Sequence, residues 1–132
     1  MRIALQIEYH GGLFCGWQSQ PSGCAVQDVL ERALAGIAAA PVSTICAGRT
    51  DTGVHALMQV VHFDAPTARP LQAWVRGVNA LLPDSVAVVG AAAVPDDFHA
   101  RFDAVSRCYR YVLVSDPVRP GLLAGTVGWH HE

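Results

Sequence analysis

A chain of 132 residues, 52% hydrophobic and 15% charged, is enough for one domain with a real core, or at most two very small ones, and its composition excludes a disordered chain. The formal net charge of −2 argues against a broadly basic nucleic-acid-binding surface, but all nine basic residues are Arg, which suits bidentate phosphate contact, and Arg101, Arg107, Arg110 and Arg119 fall in one short segment, so a local basic groove fits a slightly acidic whole. No apolar run is long enough to span a bilayer, and the polar-interrupted N-terminus reads as a strand and not as a signal peptide, so the expected location is the cytoplasm, with no membrane partner.

Residues 2–9 alternate Ile3, Leu5, Ile7 and Tyr9 against Arg2, Ala4, Gln6 and Glu8, the period of a half-buried strand. His10 to Gly23, rich in Gly, Ser and Pro, reads as a loop, and ordered loops of that length are often functional. From about Ala25 to Ala39 the positions Val26, Val29, Leu30, Ala33, Leu34 and Ile37 follow helical spacing, and Pro41 stops the helix. Val42 to Ala47 reads as a short strand and Met58 to Phe63 as another. Pro70 opens a second helix through about Leu81, Pro83 closes it, and Ser85 to Val94 is an apolar strand. Arg107 to Ser115 is the clearest strand after the first, with Arg107, Tyr109, Tyr111 and Leu113 on one face and Cys108, Arg110, Val112 and Val114 on the other. A last short strand is expected from about Thr126 to His130. This order predicts an α+β fold of ferredoxin-like βαββαβ type with an added strand. Two helices cover one face of an antiparallel or mixed sheet, and the other face is left for a partner or ligand. No linker divides the chain.

Cys15, Cys24, Cys46 and Cys108 lack the C-x-x-C spacing of zinc sites and are expected to be reduced, partly buried thiols. The histidines are scattered apart from His130-His131, so no metal site is expected.

The stretch that carries chemistry runs Cys46-Ala47-Gly48-Arg49-Thr50-Asp51-Thr52-Gly53-Val54-His55-Ala56. It places Asp51 near Arg49, whose charge favours the carboxylate anion, and between glycines that allow a sharp turn and close approach. A loop would present a nucleophilic Asp in this way. An Asp in such a turn also commonly just bonds nearby backbone. Asp51-Thr52-Gly53 is moreover the triplet of aspartic proteases, so a homodimer sharing a carboxylate dyad is a third reading. Arg49, which would oppose the shared proton of that dyad, and the two helical segments argue against it.

The same stretch resembles the active-site motif of the tRNA pseudouridine synthase A family, with Thr52 where that family usually has Ala. The resemblance extends along the chain in family order. Tyr9-His10-Gly11-Gly12 and Gly16-Trp17-Gln18 are similar to its opening motif, with His10 in place of the usual Asp. Val26-Gln27, Gln59-Val60-Val61-His62-Phe63 and Val78-Asn79-Ala80-Leu81-Leu82-Pro83 match later motifs. So do Phe98-His99-Ala100-Arg101-Phe102-Asp103-Ala104 and the strand holding Arg107, Tyr109 and Tyr111.

The resemblance implies an isomerase that converts uridines of the tRNA anticodon stem-loop to pseudouridine. It implies Asp51 as the catalytic carboxylate, Tyr109 as the ring that stacks on the target base, and Arg49 as an RNA contact. Arg101, Arg107, Arg110 and His55 are further RNA-binding candidates. It implies tRNA as the partner, a homodimer, and no cofactor or metal. Family members are roughly twice this length, and their second half completes the cleft with a basic and an apolar residue. Residues 1–132 are therefore expected to be the N-terminal domain of an incomplete enzyme, with the C-terminal half absent. Each residue also has a plainer role open to it: Tyr109 and Trp17 as packing rings, Phe14 as a staple for the long loop, His55 as a structural histidine, Arg49 as an ion-pair partner of Asp51. The competing class is a non-catalytic ferredoxin-like RNA-binding module, which needs Tyr109 and the arginines but not Asp51.

Overall fold

A computed structural model describes residues 1–131; Glu132, the last residue of the expected domain, lies outside the described residues. The strands are β1 (Arg2–Tyr9), β2 (Ile45–Cys46), β3 (Ala56–Asp64), β4 (Val86–Val94), β5 (Leu113–Ser115) and β6 (Gly128–His130). Helix α1 is Val26–Ala38, and α2 joins a π-helical stretch, Ala73–Gly77, to an α-helical one, Val78–Leu81. β1 to β4 form one sheet in the order β2-β3-β1-β4, with every neighbouring pair antiparallel. This is the ferredoxin-like βαββαβ arrangement that the order of elements predicts.

The alternation in β1 does its expected work. Ile3, Leu5, Ile7 and Tyr9 are buried on one face, opposite Phe63, Val61 and Gln59 of β3 in register. The helices lie over that face, α1 burying Val26, Leu30, Ala33, Leu34 and Ala38, and α2 burying Trp74 and Val78. Trp74 meets Phe63 edge-on at 5.0 Å. The two helices approach closely because Gly36 and Gly77 leave no Cβ: one placed there would lie 2.7 Å from Leu81 and 2.8 Å from Ile37. Asn79 ties α2 to β4, its amide donating to the Val88 carbonyl and accepting from the Val88 N–H, both at 2.8 Å. At the start of α1 the Asp28 carboxylate accepts from the Ala25 N–H at 3.1 Å, satisfying one orphan donor of the first turn. Burial pushes the Asp28 carboxyl up, but bonds from Ser19, Gln20 and Ala25 outweigh it and leave the carboxyl below its usual range. The helix ends where Ala39 adopts a left-handed conformation, φ 56°, two residues before Pro41.

Three expectations are corrected. The strand expected over 42–47 shrinks to Ile45–Cys46, the two residues in register with His62 and Val61 on β3. The strand expected over 107–115 is ordered as a ladder only at Leu113–Ser115. Its partner is β6, in a separate parallel pair; residues 107–112 form no strand among the described residues, and only Val112 reaches β6, its carbonyl accepting from the Gly128 N–H at 2.8 Å. Strand structure needs a hydrogen-bonded neighbour, and alternation alone does not supply one. Finally, Cys15 and Cys24 are not reduced thiols but are joined in a disulfide that closes part of the long loop; Cys46 is free and buried, Cys108 free and exposed. Among the described residues no helix is long and apolar enough to cross a membrane.

Candidate active site

The Asp51 loop joins edge strand β2 to β3, and neighbours grip it along its length. The Ala47 N–H donates to the Val60 carbonyl at 2.8 Å, carrying the β2–β3 pairing one step further. The buried Gln59 amide then takes hold of Gly48, donating to its carbonyl at 2.6 Å and accepting from its N–H at 3.4 Å. Gln59 also donates to the Tyr9 hydroxyl at 3.4 Å, and that hydroxyl shares a 2.7 Å hydrogen bond with Thr50 Oγ1. Burial raises the Tyr9 phenol above its ordinary value, so Tyr9 stays a neutral hydrogen-bonding group in this relay. Past Asp51 the chain reverses: the Val54 N–H donates to the Asp51 carbonyl at 3.1 Å, with Gly53 at φ 85°.

The long loop after β1 forms the other jaw. The Trp17 N–H donates to the Thr50 carbonyl at 3.0 Å. Gly16, at φ 83°, lies so close that a Cβ would be 2.8 Å from the same oxygen; at Gly11 a Cβ would be 1.9 Å from the Val54 carbonyl. The loop is itself fastened to α1, since Val26 and Gln27 donate to the carbonyls of Gly16 and Trp17. Gln27 and Glu31 in turn bind the backbone of Thr44 just before β2. Trp17, 1% exposed, is a packing ring, and Phe14 packs half-buried against the core. His55 is held at both ring nitrogens: Nδ1 accepts from the Gly11 N–H at 2.9 Å, and Nε2 donates to the Gly125 carbonyl at 2.8 Å, the tautomer being set by those partners.

Alongside β2 lies a cavity of about 720 Å³, in the range of small-molecule sites. Arg49, Arg101, Arg107 and Tyr109 line it, together with Trp17, Gln18, His99 and Phe102. Arg107 reaches back over Gly48 and donates twice to the Ala47 carbonyl, at 3.1 and 2.5 Å. Tyr109 is 62% exposed. The segment before them is docked by polar contacts. Arg2 donates to the Phe98 carbonyl at 2.7 Å, and the Ala100 N–H donates to buried His62 Nδ1 at 3.0 Å. Burial, with the nearby Arg2 and His99 charges, lowers the His62 pKa and keeps that nitrogen an acceptor. Burial raises the Cys46 thiol against the opposing pull of Arg49 and Arg101, which leaves this cavity residue an un-ionised thiol.

The structure therefore brings four of the expected residues, Arg49, Arg101, Arg107 and Tyr109, to one cavity. Asp51 is exposed two residues beyond Arg49 and is not among the lining residues. Among the described residues its carboxylate has no hydrogen bond or ion pair, so the plainer role open to Arg49, an ion pair with Asp51, is not seen. Arg110 is exposed and lies outside the lining. Gln59, Tyr9 and Thr50, the grips on the loop, escaped sequence reasoning. Their signal was Gln59, a polar residue on the face of β3 that carries Val61 and Phe63 into the core.

Residues 6–103 match the family described as tRNA pseudouridine synthase. The chain is 66% identical over 133 residues to the tRNA pseudouridine synthase A of Chromobacterium violaceum, covering 100% of this chain and 51% of that protein. It is 61% identical over 132 residues to that of Thiobacillus denitrificans, again covering 100% of this chain and 51% of that protein. With the Dechloromonas aromatica protein of the same name the identity is 62% over 131 residues, 99% of this chain and 50% of that one. The chain spans about half the length of the curated relatives it matches.

Proposed function

The chain belongs to the tRNA pseudouridine synthase family, and from that premise we propose that it is the Asp51-bearing portion of an enzyme that isomerises uridine in the tRNA anticodon stem-loop to pseudouridine. The reaction breaks the C1′–N1 bond, turns the uracil in place and joins C5 to C1′; C5 loses its proton and N1 gains one. Bond broken and bond made are nearly equivalent, so no cofactor or metal is called for. The site must supply a carboxylate beside the ribose and base, and a way to hold a nucleotide out of its stack. Asp51 is the carboxylate, Tyr109 stacks on the base, and Arg49, Arg101 and Arg107 take backbone phosphates. Arg110 adds to the same basic surface, and His55 acts by fixing the loop.

The observation that supports this most is an exposed carboxylate, unpaired among the described residues, on a loop gripped at Gly48, Thr50 and Val54 and adjoining a cavity lined with three guanidiniums and Tyr109. Asp51→Asn in the complete enzyme keeps the shape and removes the anion. Pseudouridine formation should stop while tRNA still binds, and substantial turnover would remove Asp51 from the mechanism.

The relatives' greater length fits a second half that closes the cavity, with a basic and an apolar residue beside Asp51. The working unit is a cytoplasmic homodimer. On this reading residues 1–132 alone bind tRNA weakly, with an affinity that falls steeply with salt, and make no pseudouridine. The chain alone should sediment above monomer mass at micromolar concentration, as an uncovered sheet face associates. A non-catalytic RNA-binding module is the second reading, favoured by one observation: Asp51 stands outside the cavity lining. RNA binding with no pseudouridine formed by the wild-type complete protein would select it.

A further inference from the structure

Phe102 is 78% exposed although wholly apolar, and it lines the same cavity as Tyr109, Arg49, Arg101 and Arg107. Its ring is stacked on the His99 imidazole, centroids 4.0 Å apart and planes 14° apart. The stack is built and not incidental. His99 Nδ1 accepts from the Arg101 and Phe102 N–H groups at 3.2 and 3.0 Å, and the His99 N–H donates to the Asp103 carboxylate at 2.8 Å. The other side of the imidazole region is closed by His62, 4.9 Å away and edge-on. One ring face is thus covered by a fixed partner, and most of the remaining ring is open.

We propose that the His99–Phe102 stack is a second stacking platform, which holds an unpaired nucleobase flanking the target nucleotide. A flat, preorganised ring beside guanidiniums suits a ligand with a π-face and a phosphate, and single-stranded RNA offers both. Pulling one nucleotide out of a stem leaves its neighbour without a stacking partner, and a ring at this place replaces that partner. A protein segment covering Phe102 would instead bury it beside Arg49, Arg101 and Arg107, whose charges need water or anions. The proposal rests on the synthase reading for the identity of the RNA.

The test uses the complete enzyme and anticodon stem-loop RNA, with affinity measured for wild type, Phe102→Leu and Phe102→Tyr. Leu keeps apolar volume without the flat face, and Tyr keeps the ring. F102L should bind about tenfold more weakly, within the usual range for loss of one base–aromatic stack, and F102Y within about twofold of wild type. With an abasic site at one nucleotide next to the target uridine, wild type and F102L should bind equally. In wild type, 2-aminopurine at that nucleotide should be quenched on binding, a readout that holds even if F102L folds poorly. Equal binding of intact RNA by F102L and wild type, or a deficit that persists with every abasic RNA, would overturn the platform and place Phe102 against protein. If wild type makes no pseudouridine but shows the abasic pattern, the synthase reading fails and the platform stands.

Discussion

Residues 2–94 and residues 101–131 carry the same kinds of sequence signal and meet opposite fates. In β1 a two-residue alternation buries every second side chain, because β3 and β4 pair with both of its edges and the two helices cover that face. Over residues 107–112 a cleaner alternation leaves both faces in water; Tyr111 is 99% exposed, as is Leu122 further on at 98%. The second region touches the first at identifiable points: Arg107 on the Ala47 carbonyl, and the Gly125 carbonyl on His55. The Asp51 loop therefore belongs to the tightly held region, while Arg107 and Tyr109 of the cavity wall come from the loosely held one. The cavity thus joins a wall anchored in the sheet to one that is largely exposed.

The comparison predicts its largest effect for the core. Trp74→Ala, under α2 and against Phe63, should lower unfolding free energy by about 3–5 kcal/mol. Tyr111→Ala should stay within about 0.5 kcal/mol. Urea titration of the two variants decides, and a large loss from Tyr111→Ala would mean that the second region folds as part of the first. Next come the jaws of the loop. Gly11→Ala and Gly16→Ala each drive a Cβ into backbone of the Asp51 loop and should cost about 1–3 kcal/mol. Gly53→Ala meets nothing within 4 Å and has only its positive φ to offend, so about 1–2 kcal/mol is expected. If Gly11→Ala proves no worse than Gly53→Ala, close approach at Gly11 is not what fixes the loop.

The seam between the regions should respond to pH through His62. Its folded pKa lies below the ordinary 6.5, so the unfolded chain binds more protons near that value. The resulting stability is fully present above about pH 6.5 and is lost as pH falls through the lowered folded value. Protonating Nδ1 also removes the acceptor of the Ala100 N–H. Hydrogen exchange of that amide, corrected for its intrinsic rate, should lose protection as pH falls from 7 to 5, and His62→Gln should flatten the trend. Protection that rises on acidification would contradict the assignment.

What was legible in the sequence was what depends on local period and punctuation. β1, β3, β4 and both helices could be placed from alternation, helical spacing and prolines, and the βαββαβ order followed from their sequence. Misread were features set by a neighbour. β2 is as short as its pairing with Val61 and His62 allows, and residues 107–112 look like a strand but form no ladder among the described residues. The Cys15–Cys24 bond depends on how the long loop folds back, which spacing does not encode. At the site, the Arg-Thr-Asp stretch was visible as a turn with chemistry in it. The ion pair that Arg49 and Asp51 could have made is not formed, because proximity in sequence does not aim two side chains at one another in a loop whose backbone is held by Gln59, Tyr9 and Trp17. Tyr9 and Trp17 lie far from the loop in sequence, and it is the pairing of β1 beside β3 and the fastening of the long loop to α1 that bring them to it.

The smallest effect sharpens the same contrast. Ala39 ends α1 at φ 56°, a conformation that costs an L-residue about 1–2 kcal/mol and that glycine adopts freely. Ala39→Gly relieves that strain but gives the unfolded chain more freedom, a loss of roughly 0.4–1 kcal/mol. The net expectation is a gain of up to about 1 kcal/mol, read as a rise in urea midpoint with unchanged slope. Gly125, at φ 81° with nothing within 4 Å of its missing Cβ, is the mirror case in the second region. Gly125→Ala should strain the turn around it, yet leave the core's unfolding midpoint where it was, because residues 101–131 bury little in that core. A fall in midpoint as large as the rise from Ala39→Gly would show that the single contact from His55 to the Gly125 carbonyl couples the two regions more tightly than their packing does.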